Sequence, residues 1–477
     1  MARIVLEVPD TCKSLLAEIP DVVARLAAIA ADAADAKDVD YVAVERDVAA
    51  QCARLERAAH LDTLAAMDVT EPWVSIEGVV HRRVLRAPQT YYTLAGPVTL
   101  TRSLFRPDKA RGGRAVDPIA ARVGMVDGRW LPGTAKAMAF LLQQGTAREA
   151  AASAAQLHRL PYCRNSFDAV GHAVGQHVRV AHQEVEQALI EAFEVPAEAH
   201  AIGVSLDRGS VPIEEPKPRP KGRPRKGATR PRRSVQRVFR MAYCATITLT
   251  DAKGEAIHTI RYGRMPEKDV SSLLDSMQDD VLALLRKRPE LDVVLLCDGA
   301  AELWGLLDAR FHAGTLGKEP VRLVDLWHLV EKLGKAARVK HGGEARAVSE
   351  RWKARLLNDS GSAAKIRAEV ASWGLEWHAE GADHPVHEAL TFLSNQGEAG
   401  RLDYATARSR GLPVGSGAVE ATCKSLFGVR MKRPGARWHQ ETAEDVITLR
   451  ALALSDRWDG AVDLTLRLRR REVKLAA

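Results

Sequence analysis

The stretch Leu412-Pro413-Val414-Gly415-Ser416-Gly417-Ala418-Val419-Glu420 joins a punctuated turn to the start of a helix. Pro413, Gly415 and Gly417 break the regular backbone, and Ser416 occupies the place of an N-cap. The spacing predicts a helix on through Ala421, Cys423, Leu426 and Phe427. Glu420 falls in its first turns and Lys424 one turn later on the same face. The cations Arg430, Lys432 and Arg433 follow. A carboxylate near a helix start, backed by cations, suits a metal-dependent enzyme acting on a polyanion. A single helical Glu is usually a solvated surface residue, so the reading turns on partner carboxylates upstream.

Those partners stand at strand ends. Ala201-Ile202-Gly203-Val204-Ser205-Leu206-Asp207 is a short apolar strand ending in a carboxylate; residues 211–215 continue it and Pro216 breaks it. Residues 238–250 form a second strand, Asp251 and Gly254 a turn, and residues 255–262 a returning strand. Residues 266–288 carry Val270, Leu273, Leu274, Met277, Val281, Leu284 and Leu285 at helical spacing. The run Asp292-Val293-Val294-Leu295-Leu296-Cys297 reads as a buried strand and ends in Asp298-Gly299. A helix with Leu303, Trp304 and Leu307 follows. Val321-Arg322-Leu323-Val324-Asp325 is another short strand, and a helix containing His328 opens after it. Residues 334–411 are helical in pattern, charged, and hold Trp352, Trp373 and Trp377.

Three strands, helix, strand, helix, strand, helical block, helix is the layout of an α/β ribonuclease H-like core with an all-helical insertion. In that layout the first and fourth strands are neighbours, so Asp207, Asp298 and Glu420 converge. Magnesium takes hard oxygen ligands, commonly one or two carboxylates with water and phosphate oxygens. Two such ions about 3.5–4 Å apart activate an attacking oxygen and stabilise a leaving one. Phosphate ester cleavage is slow enough without catalysis to need that help.

Upstream, residues 12–67 are Ala-rich with apolar residues at helical spacing, which suits either a pairing arm or internal support. From Trp73 short alternating runs broken by Gly78, Pro88 and Gly96-Pro97 predict a small antiparallel β unit ending near Phe105, followed by a basic loop. Three helical segments come next, at 135–144, 147–157 and 166–193. The turn before the third, capped by Asn165 or Ser166, fits a helix-turn-helix DNA reader or a plain helical hairpin. The organisation is therefore a helical region at 1–70, a β unit and basic loop at 71–130, and a helix-turn-helix-like domain at 131–200. The core occupies 201–333 and 412–460 around the insertion at 334–411, and a basic tail covers 461–477.

The 477 residues carry a net charge of +8, which points toward an acidic partner, nucleic acid first. Cys12, Cys52, Cys163, Cys244, Cys297 and Cys423 are widely spaced, so no CxxC zinc knuckle exists. The start lacks a signal-peptide core and no apolar run reaches membrane-span length, so a soluble, cytoplasmic protein is expected.

The stretches 204–210, 295–304 (LLCDGAAELW), 324–333 (VDLWHLVEKL) and 414–433 (VGSGAVEATCKSLFGVRMKR) resemble bacterial insertion-sequence transposases of the DDE class. The likeness is to the ISKra type, related to Mutator-like transposases, and spans roughly residues 90–458. It implies Asp207, Asp298 and Glu420 as ligands of Mg²⁺ or Mn²⁺, two ions together. Asp325 and His328 match the family's (Cys/Asp)-x-x-His element, which either positions DNA or braces the site. Trp304 either stacks on a flanking base or belongs to the core. Residues 106–116 hold no cysteine where relatives often carry a pair. The implied partners are double-stranded DNA, both terminal inverted repeats and target, and a second copy of the chain on paired ends, in the bacterial nucleoid. A transposase-derived DNA-binding protein without activity, and a ribonuclease H-like nuclease without strand transfer, are the alternatives.

Residues 217–240 hold eleven Lys or Arg and no acid. The candidate DNA contacts there are Lys221, Arg223, Arg225, Lys226, Arg230, Arg232 and Arg233, to which Lys424, Arg430, Lys432 and Arg433 are added from the Glu420 stretch. Gly222-Arg223-Pro224 resembles an AT-hook, whose extended backbone lays an Arg into a narrow A·T-rich minor groove; a non-specific phosphate tether is the other reading. Neutralising six of these cations is expected to flatten the slope of log K against log salt by about 5. If Arg223 enters the groove, Arg223→Ala costs roughly 1–3 kcal/mol on A·T-rich sites and less on G·C-rich ones. Binding titrations at several salt concentrations on both DNAs read both effects, and an unchanged slope removes the segment from DNA binding.

Overall fold

Among the described residues two β-sheets organise the fold, each built where apolar residues recur with the strand period. The computed structural model describes residues 9–108, 114–218, 234–265, 270–374 and 384–476. It divides into two units, Met1–Ala181 with Asp459–Ala477, and His182–Trp458. The segment at 219–233, with its seven candidate cations, lies outside the described residues, as does Trp377.

In the first unit, α1 (Lys13–Asp35) packs on α2 (Tyr41–Ala66). The strands β1 (Trp73–Ile76), β2 (Val79–Thr93) and β3 (Gly96–Pro107) form an antiparallel meander. Four helices follow: α3 (Pro118–Val123), α4 (Pro132–Gln144), α5 (Ala147–Gln156) and α6 (Arg164–Val180). Asp117 ties sheet to helix. Its Oδ1 accepts from the N–H groups of Ile119 and Ala120 at the start of α3, while Oδ2 accepts from Tyr91 at 2.6 Å and Arg102 at 3.0 Å. The helix expected at 166–193 is two. It begins at Arg164, with Cys163 rather than Asn165 or Ser166 at the N-cap position, and ends at Val180; α7 (His182–Ala192) starts in the second unit.

The second unit contains β4 (Ala201–Pro216), β5 (Val235–Thr250), β6 (Ala256–Arg264), α8 (Val270–Lys287), β7 (Asp292–Cys297), α9 (Ala301–Arg310), α10 (Ala313–Leu316) and β8 (Val321–Val324). The helical block comprises α11 (Leu326–His341), α12 (Ala345–Asn358), α13 (Ser362–Ala371), α14 (Pro385–Glu398) and α15 (Tyr404–Ser409). After it come α16 (Gly417–Cys423), a π-helix at Lys424–Met431, and α17 (Gln440–Leu454). In the first unit again, α18 (Trp458–Leu468) leads to β9 (Val473–Leu475). The basic tail expected at the end of the chain is thus ordered structure. Val473 is buried and β9 pairs antiparallel with β1, because Val473-Lys474-Leu475 alternates over a length too short to stand out as a strand.

The second sheet is mixed, in the order β6-β5-β4-β7-β8. β5 runs antiparallel to β4 and β6, whereas β7 runs parallel to β4 and β8 parallel to β7. The apolar run Val293-Val294-Leu295-Leu296-Cys297 of β7 follows from burial on both faces. Val293, Leu295 and Cys297 join a core with Leu273, Met277 and Leu284 of α8, while Val294 and Leu296 face a second core with Trp352, Leu393 and Tyr404 of the helical block. A third core joins Val211, Ile213, Ala242 and Cys244 of the β4–β5 ribbon to Phe427, Met431 and Ile447. Pro216 ends β4, as expected, but β4 does not stop at Asp207; it runs unbroken through it. Its pairing with β7 ends at Ser205 opposite Leu296, and two residues further the same register brings Asp207 level with Asp298.

A buried ion pair braces this unit. Arg457 donates to Asp280 of α8 at 3.0 Å, and the Tyr262 hydroxyl of β6 donates to the same oxygen, Oδ2. Burial pushes the Asp280 carboxyl up more than Arg457 and Tyr262 pull it down. Removing one partner of such a pair strands the other charge, so Arg457→Leu is expected to destabilise the fold by about 3–5 kcal/mol. Asp280→Asn in that background should recover part of the loss, as read by urea denaturation of both variants.

Candidate active site

Asp207 and Asp298 meet because two parallel strands carry them to the same level. Asp298 directly follows β7, and its Oδ1 accepts the Ala300 N–H at 2.8 Å, which turns the chain into α9. Gly299 between them has φ +95°, and a Cβ there would lie 2.7 Å from the Phe392 ring, so both the backbone and the space call for glycine. Asp207 Oδ1 accepts the Arg208 N–H at 2.7 Å. Burial pushes the Asp207 carboxyl up, the Arg208 N–H opposes this, and the charge of Asp298 pushes it up further; the net direction is up.

Asp325 closes the other side. It is 1% exposed and caps α11. Oδ1 accepts from His328 N at 2.9 Å and from His328 Nδ1 at 3.1 Å. Oδ2 accepts the Ser416 hydroxyl at 2.7 Å and the Ser416 N–H. Burial alone would raise this carboxyl, but His328 and Ser416 outweigh it and hold Asp325 down to about 2. The carboxylate is therefore ionised, and His328 Nδ1 must be the donor in their bond. That bond, with Glu420 Oε1 3.8 Å from Nδ1, raises the His328 pKa. Ser416 sits at the N-cap position of α16 as expected, but its side chain makes no cap bond to the helix. A buried carboxylate offers the stronger, charge-assisted partner.

Glu420 lies in the first turn of α16, and Lys424 Nζ is 3.4 Å from its Oε2. Past Cys423 the expected α-helix becomes the π-helix, a wider turn that recurs at functional positions.

A cavity of about 280 Å³ is lined by Leu206, Asp207, Asp298, His328, Ser416, Val419, Glu420, Cys423 and Lys424. It brings together the three acids, His328 and Lys424, with Asp325 behind them. Trp304 is not among its walls. Its indole is 1% exposed in the core with α8, and the Arg401 guanidinium lies 4.0 Å over the ring, so no base can stack there. Arg430 is also buried, 4.7 Å over the Trp438 ring, whereas Lys432 is exposed and Arg433 half-buried. Ser416 as a partner of Asp325, and Cys423 as a wall, were not singled out from sequence. The one signal for Cys423 is its place three residues after Glu420, on the same helical face. Asp325, His328 and Glu420 offer ligand atoms within 4.8 Å of one another.

No family model matches the sequence, and no curated protein matches it. Among solved structures, a chain of a Mos1 transposase paired-end complex with left transposon end is similar over 65% of this chain and 84% of its own, at 15% identity and a TM-score of 0.14. Among the described residues no helix is long and apolar enough to cross a membrane.

The Asp325 clamp makes a direct prediction. Ser416→Ala removes one charge-assisted hydrogen bond and is expected to cost about 1.5–3 kcal/mol. Asp325→Ala strands the buried Ser416 donors and should cost more. Urea unfolding of the two variants gives both values, and a Ser416→Ala protein as stable as the parent would show that the hydroxyl does not hold the turn.

Proposed function

We propose that the chain is a DDE-class DNA transposase of the insertion-sequence ISKra type, built on a ribonuclease H-like core. The observation that carries this reading is the single cavity walled by Asp207, Asp298 and Glu420, three acids from a middle strand, the end of its parallel neighbour and a helix beyond the helical block. The pairing of β4 with β7, the first and fourth strands of the second sheet, supports it as well. The three carboxylates supply hard oxygens, the donor type that Mg²⁺ or Mn²⁺ takes. The upward push of Asp298 on Asp207 is a like-charge crowding that a bound cation would relieve.

Divalent ions held by these acids would make an attacking hydroxyl more acidic and offset charge on the leaving oxygen. The rest falls to the chain itself. Asp325 and Ser416 hold the turn that leads into α16, and so fix where Glu420 begins its helix. With Nδ1 committed to Asp325, His328 presents Nε2 as the ring nitrogen left for a phosphate oxygen. Lys424 and Lys432 line the approach of a polyanion, with Lys424 on the cavity wall. In this reading water first cuts the end of the element, and the freed 3′-hydroxyl then attacks target DNA at the same acids.

Asp207→Asn, Asp298→Asn and Glu420→Gln are each expected to lower nicking and joining of element ends by at least about 10²-fold while end binding persists. Mg²⁺ or Mn²⁺ should support the reaction, and Ca²⁺ should support binding with little chemistry. Gel assays on labelled ends read cleavage, and pre-cleaved ends read strand transfer by itself. Near-normal nicking by any one variant removes that residue from the set, and full activity in chelator overturns the mechanism.

A further inference from the structure

We propose that Asp207, Cys244 and Cys423 form a binding site for a soft divalent cation of the zinc or cadmium class, which shares Asp207 with the oxygen-only set. One carboxylate oxygen and the two sulfurs all lie within 4.8 Å of one another. Asp207 and Cys244 stand directly opposite in the β4–β5 ladder, so their side chains leave the same face of the sheet. Cys423 comes down on that face as the last residue of α16. Gly209 lets it approach. It lies two residues past Asp207 on the same face, and a Cβ there would be 2.7 Å from the Phe427 ring and 3.1 Å from Cys423 Sγ. The small residue is a condition for the helix to sit close enough for the two thiols to meet.

Donor chemistry sets the class of ion. Zinc takes thiolate at about 2.3 Å and carboxylate at roughly 2.0–2.2 Å in a tetrahedron, so its donors stand roughly 3.5–3.8 Å apart. Donors within 4.8 Å of one another have at most about 1.3 Å to close to reach that. Thiolates select zinc, cadmium and related soft ions, whereas magnesium prefers oxygen alone. Cys244 is buried, with its thiol directed to the Val419 carbonyl at 3.9 Å, while Cys423 is half-buried and lines the cavity. The cavity gives the ion its entry and leaves a fourth position for solvent. Binding replaces the two thiol protons, which pass to water, and ends the contact with Val419. Because Asp207 serves both sets, an ion here withdraws an oxygen from Asp298 and Glu420. That inhibitory consequence rests on the transposase reading; the binding itself does not.

The test is titration of the full reduced chain with Cd²⁺, kept reduced by a phosphine, following the ultraviolet sulfur-to-cadmium charge-transfer band. One equivalent is expected to saturate the band in the presence of excess Mg²⁺. Cys423→Ser should abolish it, and Asp207→Asn should weaken binding by at least about 10-fold. Replacing the exposed Cys52 and Cys163 by Ser should leave it intact. Cys244→Ser is buried and its folding is to be checked by circular dichroism, so the half-buried Cys423→Ser is the decisive variant. Absence of the band in the parent, its survival in Cys423→Ser, or its loss with Cys52 and Cys163 overturns the site. Zn²⁺ is further expected to inhibit Mg²⁺-dependent nicking by the parent. A chain that shows the band but never nicks DNA would retain this site and lose the transposase reading.

Discussion

The Asp325 carboxylate is the contact on which the site depends. It sits at the end of β8, caps α11, and receives both the backbone and the hydroxyl of Ser416, ninety-one residues later in the chain. The Asp325 N–H donates to Cys297 O at 2.8 Å, and the Leu326 N–H to Val414 O at 3.2 Å. The ends of β7 and β8, the start of α11 and the turn before α16 are therefore drawn to one point. Burial makes that arrangement sensitive. A carboxylate out of water is costly unless its lone pairs are filled, and here both oxygens are, which is why its pKa falls despite burial.

The candidate active site shows the opposite balance. Asp207 is raised by burial and by Asp298, so two acids are held together against their mutual repulsion. The packing beneath them supports the cost. Both faces of β7 are covered, and the third core anchors β4 and β5 to the π-helix and α17. Asp325 and Asp207 thus differ: one is satisfied by donors of the protein and fixes geometry, while burial and a neighbouring carboxylate push the other up.

Much of the second unit was legible from pattern. The apolar runs of β7 and β8, the spacing in α8 and the turn at Asp251 and Gly254 each carry a period or a backbone demand that local sequence expresses directly. The absence of strands among the described residues of the block between α11 and α16 was legible for the same reason. Where the reading left alternatives open or missed an element, periodicity was silent. Trp304 stands at helical spacing whichever way α9 turns, and only packing against α8 and Arg401 directs its indole inward. β9 is three residues long, below what alternation can signal, and exists because β1 offers it an edge.

From sequence alone came most elements of the second unit, their order, and the candidate acids Asp207, Asp298 and Glu420, since apolar runs and helix starts leave marks within a few residues. Tertiary structure decided what those marks meet. The parallel register of β4 against β7 levels Asp207 with Asp298, the missing side chain at Gly209 admits Cys423 toward Cys244, and Ser416 gives its hydroxyl to Asp325 instead of its own helix. Each of these joins residues dozens to hundreds of positions apart. A local pattern states which face of an element is buried, and only the packed chain states what lies against it.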